Sequence, residues 1–332
     1  MLNKLVPYMH VINRFFLTIF FAIIPLLAIS ADEPYPASPV SMIVPFPPGG
    51  ASDLNARLIN ESLSNALKQP VIILNKPGLG GAIGSAQVAK AKPDGYTTIM
   101  ALSALMVHPE AERVSGRKPL YEIDQFEPIA LISSDPMIIL VKSDSPWKNL
   151  NDLIQAAKQK PGAINYASSG IFGPIHLSVE MLAFQAGIKL TGIPFNGGGP
   201  AMLALLGGQV DFTTAAPGVA AAQIASGKVR PLAVSSGKRI PSFPDIPTYK
   251  DAGYDAEYYI WAGIYVPKGT PSTITNKLRE SVKQAVQTPQ FTSGAQKQHI
   301  IFDYRDAPEF KKFAEEDGAR MLKLIRAIGK VD

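Results

Sequence analysis

Val40-Ser41-Met42-Ile43-Val44-Pro45-Phe46-Pro47-Pro48-Gly49-Gly50-Ala51-Ser52-Asp53, continuing into LNARLINESLSNAL (54–67), is the stretch whose reading decides the fold. Val40 to Val44 is a short apolar run stopped by Pro45, the pattern of a buried strand. Leu54, Leu58, Ile59, Leu63 and Leu67 recur at helical spacing, so a helix is predicted there. In the loop between them, Gly49 and Gly50 permit close backbone approach, and Ser52 or Asp53 is placed to cap the helix. The first amides of that helix point into the loop, where the dipole and free donors favour a carboxylate or phosphate. Phe46, Gly49, Gly50, Ala51 and Ser52 are therefore candidate ligand contacts. Asp53 is read as a structural cap, because a carboxylate facing an anion would repel it.

The same alternation runs outward from this unit. Strands are predicted at Val71 to Leu74, Thr97 to Ala101 and Met137 to Val141, with a short helix at Gly84 to Lys90. Further on, helices are predicted at Leu150 to Gln159 and Ile175 to Ala186. Strands are predicted at Ile164 to Ala167, Leu190 to Phe195, Val210 to Thr213 and Leu232 to Val234. Helices follow Gly199-Pro200 and Pro217-Gly218; Tyr258 to Val266 is a long aromatic-apolar strand, and Lys268-Gly269-Thr270-Pro271 opens another helix. Short strands alternating with helices predict parallel sheets with crossover helices, and the strands are short enough to favour two sheets over one.

Three more segments sit where α/β sheets bind ligands, beyond the carboxyl ends of strands. Ser168, Ser169 and Gly170 follow the strand at 164–167, Asn196 and Gly197 follow the strand at 190–195, and Ser103 ends the strand at 97–101. None of these loops contains Lys or Arg. Together with the first loop they describe a cleft rich in donors and poor in charge. Motifs for catalysis are missing from the sequence: it has no G-x-S-x-G elbow, no phosphate loop and no H-E-x-x-H pair. Past the N-terminal segment, His108, His176 and His299 are widely spaced, so neither a metal site nor a cofactor is expected. His176, in the first turn of its helix, is read as half-exposed. A hydrolase using Ser168 or Ser169 is the weakest alternative, since no base accompanies them.

Residues 1–30 read as a signal peptide. Lys4 and Arg14 precede the apolar run Phe15 to Ile29, and Ala28 and Ser30 supply the small residues of a cleavage site before Ala31. The alternative is a membrane anchor, although the run is near the lower limit of a span, about 17 residues. The 332-residue chain has no Cys. Export without disulfides suits a bacterial periplasm, and a lipid anchor on an N-terminal Cys is excluded. The chain has 32 Lys+Arg and 27 Asp+Glu; this near balance, without a long basic run, argues against nucleic acid as a partner.

PFPPGGASD (45–53), NKPGLGGAIGS (75–85), KPDGY (92–96), YASSG (166–170), PFNGGGPAMLALLGGQVDF (194–212), VRPLAVSS (229–236) and WAGIYVPKGTP (261–271) occur in the order of a known pattern. On these motifs the chain resembles the Bug (Bordetella uptake gene) family, extracytoplasmic solute receptors of tripartite tricarboxylate transporters. The resemblance implies a two-lobed α/β, type II periplasmic-binding-protein (Venus-flytrap) architecture, with lobe one at 34–138 plus 262–332 and lobe two at 139–261. It also implies a monomer that captures a small carboxylate without catalysis. The cargo would pass to integral membrane permease subunits, or the ligand would be reported to a sensor kinase. The chain departs from the pattern at Ala82 (usually Asn), at His108-Pro109 (usually Asn-Pro), near Ala215-Ala216 (often an Asp) and across Leu105 to Leu120. The missing acid argues against a ligand bearing an ammonium.

Overall fold

The computed structural model describes residues 35–329, whose eleven strands form two sheets. The expected signal peptide and its exit at Ser30/Ala31 lie outside the described residues. From the amino end run β1 (Val40–Val44), α1 (Ala51–Leu67), β2 (Val71–Asn75), α2 (Ala82–Ala89), β3 (Thr97–Leu102), α3 (His108–Val114) and β4 (Phe126–Pro136). Next come β5 (Ile138–Lys142), α4 (Leu150–Gln159), β6 (Asn165–Ser168), α5 (Pro174–Ala186), β7 (Thr191–Pro194), α6 (Gly198–Leu206), β8 (Phe212–Ala215), α7 (Pro217–Ala225) and β9 (Val229–Val234). The order ends with β10 (Tyr259–Pro267), α8 (Ser272–Val286), α9 (Pro289–Lys297), β11 (Phe302–Asp306) and α10 (Ala307–Ile328).

The first sheet has the order β11-β4-β10-β3-β1-β2 and the second β7-β6-β8-β5-β9. Each contains one parallel β-α-β-α-β unit in which the first strand lies between the other two, β2-β1-β3 and β7-β6-β8. The loops after β1 and after β6 are thus equivalent positions, each at the point where strand order reverses. Outside these units the pairing is antiparallel: β10 with β3 and β4, β11 with β4, and β5 with β8 and β9. The expectation of parallel sheets is corrected to mixed ones. An apolar run such as Ile138–Val141 carries the same local pattern in either direction.

Two strands have no counterpart in the sequence reading. β4 holds Ile129, Ala130, Leu131 and Ile132 fully buried between β10 and β11, but Pro128 and Pro136 break its pattern. Burying each Ile or Leu there contributes about 1.5–3 kcal/mol. β11 is the opposite case, a polar edge strand (FDYRD) with no apolar period.

The chain changes sheet at Met137, between β4 and β5, and returns between β9 and β10. Ser235 ties the two passages together. Its Oγ accepts from the Met137 amide at 2.8 Å and donates to the Tyr258 carbonyl. Its own amide donates to Met137 O at 2.9 Å, and its carbonyl accepts from the Tyr258 amide at 3.0 Å.

Candidate functional site

The loop after β1 leaves a helix start open. Gly50 is the N-cap residue of α1 and no side chain caps it. Asp53 is structural, but it closes the loop and leaves the helix end bare: its Oδ2 accepts from the Gly49 amide at 3.0 Å and from Arg57 Nε at 2.8 Å, and its Oδ1 from Asn75 Nδ2 at 3.0 Å. Burial pushes that carboxyl up, but these three donors outweigh it and hold the carboxyl below its usual range. Ser52 does not cap either; its buried hydroxyl donates to Met100 O at 2.6 Å.

The loop after β6 treats its helix differently. Gly173 is the N-cap of α5, Pro174 removes one amide, and Ser169 Oγ accepts from the Ile175 amide at 3.1 Å. Ser168 Oγ turns the other way, to Ile193 O in β7 at 3.4 Å. Two further helices, α6 behind Gly197 and α7 behind Ala216, start here without a side-chain cap.

All four helix starts line one small chamber. Gly50 and Ala51 come from α1, Pro174 and Ile175 from α5, Gly198 from α6, and Ala216 from α7. Its volume is about 30 Å3, close to the share of one water molecule in the liquid, about 30 Å3. No acidic side chain lines it, and each helix start contributes partial positive charge. Thr214, on β8, also lines it; its Oγ1 is buried and has no hydrogen-bond partner among the described residues. Phe46 and Ser169 belong to this chamber and also to a second cavity of about 600 Å3.

The loops of the two sheets are in contact around these spaces. A Cβ at Gly170, where φ is +102°, would stand 2.7 Å from the Gly80 nitrogen. One at Gly197, φ +118°, would stand 2.8 Å from Pro47 Cδ. Only glycine permits either approach. Gly50 is freer, with φ −88° and nothing nearer than 3.7 Å to a Cβ.

A family model described as "Tripartite tricarboxylate transporter family receptor" matches residues 55–330. The chain belongs to that receptor family. A curated relative from Pseudomonas sp. strain P51, a UPF0065 protein of the tcbD-tcbE intergenic region, is 34% identical over 299 residues, covering 88% of this chain and 87% of the relative. The solved structure of the periplasmic binding protein BugD is 34% identical with a TM-score of 0.83, over 90% of this chain and all of that one, 100%. MatC from Rhodopseudomonas palustris, solved with bound malate, is 29% identical with a TM-score of 0.82, over 88% of this chain and 100% of its own. The receptor therefore has the two-sheet α/β fold of periplasmic binding proteins. Among its described residues no helix is long and apolar enough to cross a membrane.

Within the receptor, Phe46, Gly50, Ala51, Ser169, Gly170 and Asn196 line one or both spaces. Gly49 and Gly197 shape the loops without lining either. Ser52, Ser103 and Ser168 turn away from them; Ser103 Oγ lies 3.2 Å from the Tyr258 hydroxyl. Sequence reasoning missed Thr214, although the rule that singled out Ser103 at the end of one third strand applies equally to β8. It also missed Arg117 and Lys118, which line the larger cavity from the Leu105–Leu120 stretch and correct the view of a cleft without cations.

Of the two buried histidines, His108 lines the larger cavity and His176 lines neither space. His176 is buried, correcting the half-exposed reading. Burial, with His108 nearby, pushes its imidazole down to about 4. His108 is also buried, and burial lowers its pKa. Its Nε2 lies 2.9 Å from Gly80 O and, as the donor, anchors the glycine turn that meets Gly170.

Proposed function

We propose that the receptor captures a small carboxylate in the periplasm and passes it on without chemical change. The observation that carries this is the convergence of four helix starts on one chamber that has no acid. Charge-assisted hydrogen bonds to the uncapped first amides of α1 and α6 contribute about 1.5–3 kcal/mol each. The helices α5 and α7, which open on Pro174 and Pro217, add chiefly their dipoles, and Thr214 Oγ1 adds a donor whose partner is otherwise missing. The malate held by MatC is a carboxylate of the same kind. Ser168 and Ser169 both bond backbone groups rather than an imidazole, which supports binding without hydrolysis.

In this reading the two sheets are the cores of two lobes, 34–138 with 262–332 and 139–261. They close by bending at the Met137 and Ser235–Tyr258 passages. Ligand selects the closed arrangement through differential affinity. The chain acts as a monomer, after removal of residues 1–30, and delivers its cargo to integral permease subunits. A thermal-shift screen of mono-, di- and tricarboxylates, each beside its methyl ester, tests the central claim. Acids are expected to raise the melting temperature and esters to leave it unchanged. Equal stabilisation by an acid and its ester would overturn the anion cradle.

A further inference from the structure

Asn196 and Gly197 are the single Asn-Gly pair of the sequence, and they lie where the larger cavity meets the start of α6. Asparagine is a chemically labile residue, above all before glycine, where no side chain shields the following amide nitrogen. The other asparagines of the described chain are held. They lie in helices or keep their side chains in hydrogen bonds, as Asn75, Asn149 and Asn165 do. Asn196 does neither: its side chain is exposed and has no hydrogen-bond partner among the described residues. The Gly197 amide donates to no backbone carbonyl there. Both groups are free to react with each other.

We propose that Asn196 is a deamidation site whose product weakens anion capture. Hydroxide removes the Gly197 amide proton, and the nitrogen attacks Asn196 Cγ. The new bond forms as the bond from Cγ to Nδ2 breaks, and Nδ2 leaves as ammonia with a proton from water. Water then opens the cyclic imide. Cleavage at Cγ leaves aspartate at position 196; cleavage at the backbone carbonyl carbon leaves isoaspartate, with the main chain running through the former side chain. Nothing is oxidised or reduced, and either product adds a negative charge.

That charge falls beside the helix starts. Gly197 is the N-cap of α6, no side chain caps it, and Gly198 lines the chamber. A carboxylate just ahead of this start competes for the positive end of the dipole and repels a bound acid. The loss of capture rests on the carboxylate reading above; the modification does not. Packing also gates the reaction, because Gly197 must turn toward Cγ. It is buried, and a Cβ on it would stand 2.8 Å from Pro47 Cδ and 3.7 Å from Phe46 Cδ1, so the loop after β1 pins it.

Incubating the purified receptor in mild base, followed by ion exchange and peptide mass spectrometry, tests the site on wild type, Asn196→Gln and Pro47→Ala. Wild type is expected to accumulate a more acidic form, converted at Asn196 ahead of every other asparagine. Asn196→Gln should accumulate far less of it, and Pro47→Ala should convert several-fold faster. Conversion no faster at Asn196 than at Asn149 would overturn the site, and an unchanged rate in Pro47→Ala would overturn the gate. Calorimetry with acetate, succinate and citrate then compares Asn196→Asp with Asn196→Gln. The aspartate variant should bind about fivefold more weakly at low salt, and the difference should shrink in high salt. Equal affinities would overturn the loss of capture and leave the site standing. Failure of all three acids to bind wild type would overturn the carboxylate reading together with the loss of capture, and leave the mass spectra to decide the site.

Discussion

The loops after β1 and after β6 occupy equivalent places in two units of the same strand order, yet they finish their helices in different ways. After β1, Asp53 is drawn back to Gly49, Arg57 and Asn75, and the helix start is left bare. After β6, a proline removes one amide and the Ser169 hydroxyl occupies another. The first sheet thus offers unspent backbone donors, while the second offers a hydroxyl proton, an orphan threonine and an obligatory glycine. Equivalent topology does not make the two halves of a cleft chemically interchangeable.

The largest expected effect comes from a pair of glycines. Gly170→Ala places a Cβ 2.7 Å from the Gly80 nitrogen, at a φ that L-residues avoid, and so keeps the two loops apart. Affinity should fall by about 100-fold, or about 2.7 kcal/mol. Gly50→Ala, with 3.7 Å of clearance and an ordinary φ, should lose far less. Calorimetry on both variants decides; equal losses would break the contrast between the loops.

Thr214→Val should act with opposite signs on stability and binding. Removing a buried hydroxyl that has no partner relieves about 1–3 kcal/mol in the empty protein. Removing a donor to the ligand should weaken binding about tenfold. A melting temperature that falls without ligand would show that Oγ1 is satisfied by other means.

Ser169→Ala removes the acceptor for the Ile175 amide and should cost about 1 kcal/mol of stability. Ser168→Ala loses only a long 3.4 Å bond and should leave affinity at the wild-type value. An affinity loss confined to Ser168→Ala would reverse the assignment of the two hydroxyls.

The smallest effect in wild type should be its pH dependence, because the two sheets oppose each other. His176, beside the second sheet, has a folded pKa of about 4 against about 6.5 unfolded. The unfolded chain takes a proton that the native state refuses, so stability is lost as pH falls from about 6.5 to about 4. Asp135, in β4, is pushed by burial up to about 7 from an unfolded value of about 3.9. There the native state holds the extra proton, so stability is lost as pH rises from about 4 to about 7. Each slope integrates to about 3–4 kcal/mol, so over pH 4 to 6.5 the contributions of these two groups largely offset each other. Asp135→Asn removes one of them, and its melting temperature should rise steeply from pH 4 to 6.5. A variant curve as flat as wild type would refute the cancellation.

Which of these features could be read in advance follows from how local each one is. Pro45 to Asp53 was legible because a buried strand, a glycine loop and a helical stripe are written in consecutive residues, and the same is true of Tyr166 to Gly170. The direction of β5 and β10 was not, because pairing is settled by partners more than 50 residues away in sequence, such as Tyr259 on Pro136. Donor groups at strand ends could be named as residue types, but whether a hydroxyl faces the cleft depends on the pleat and on local acceptors. That is why Ser169 lines it while Ser168 and Ser103 do not. Thr214, Arg117 and Lys118 are brought together only by tertiary folding.

Both passages between the sheets converge on Ser235, which bonds Met137 on one side and Tyr258 on the other through backbone and hydroxyl alike. Two separate tethers would let one sheet slide, roll or splay against the other. Two strands stitched at one buried residue behave as a single ribbon, stiff to shear and soft to bending. Under the proposed two-lobe reading, relative motion of the sheets is expected to reduce to one bending coordinate, which a single spectroscopic distance between labels at the exposed Ile72 and Leu203 would follow.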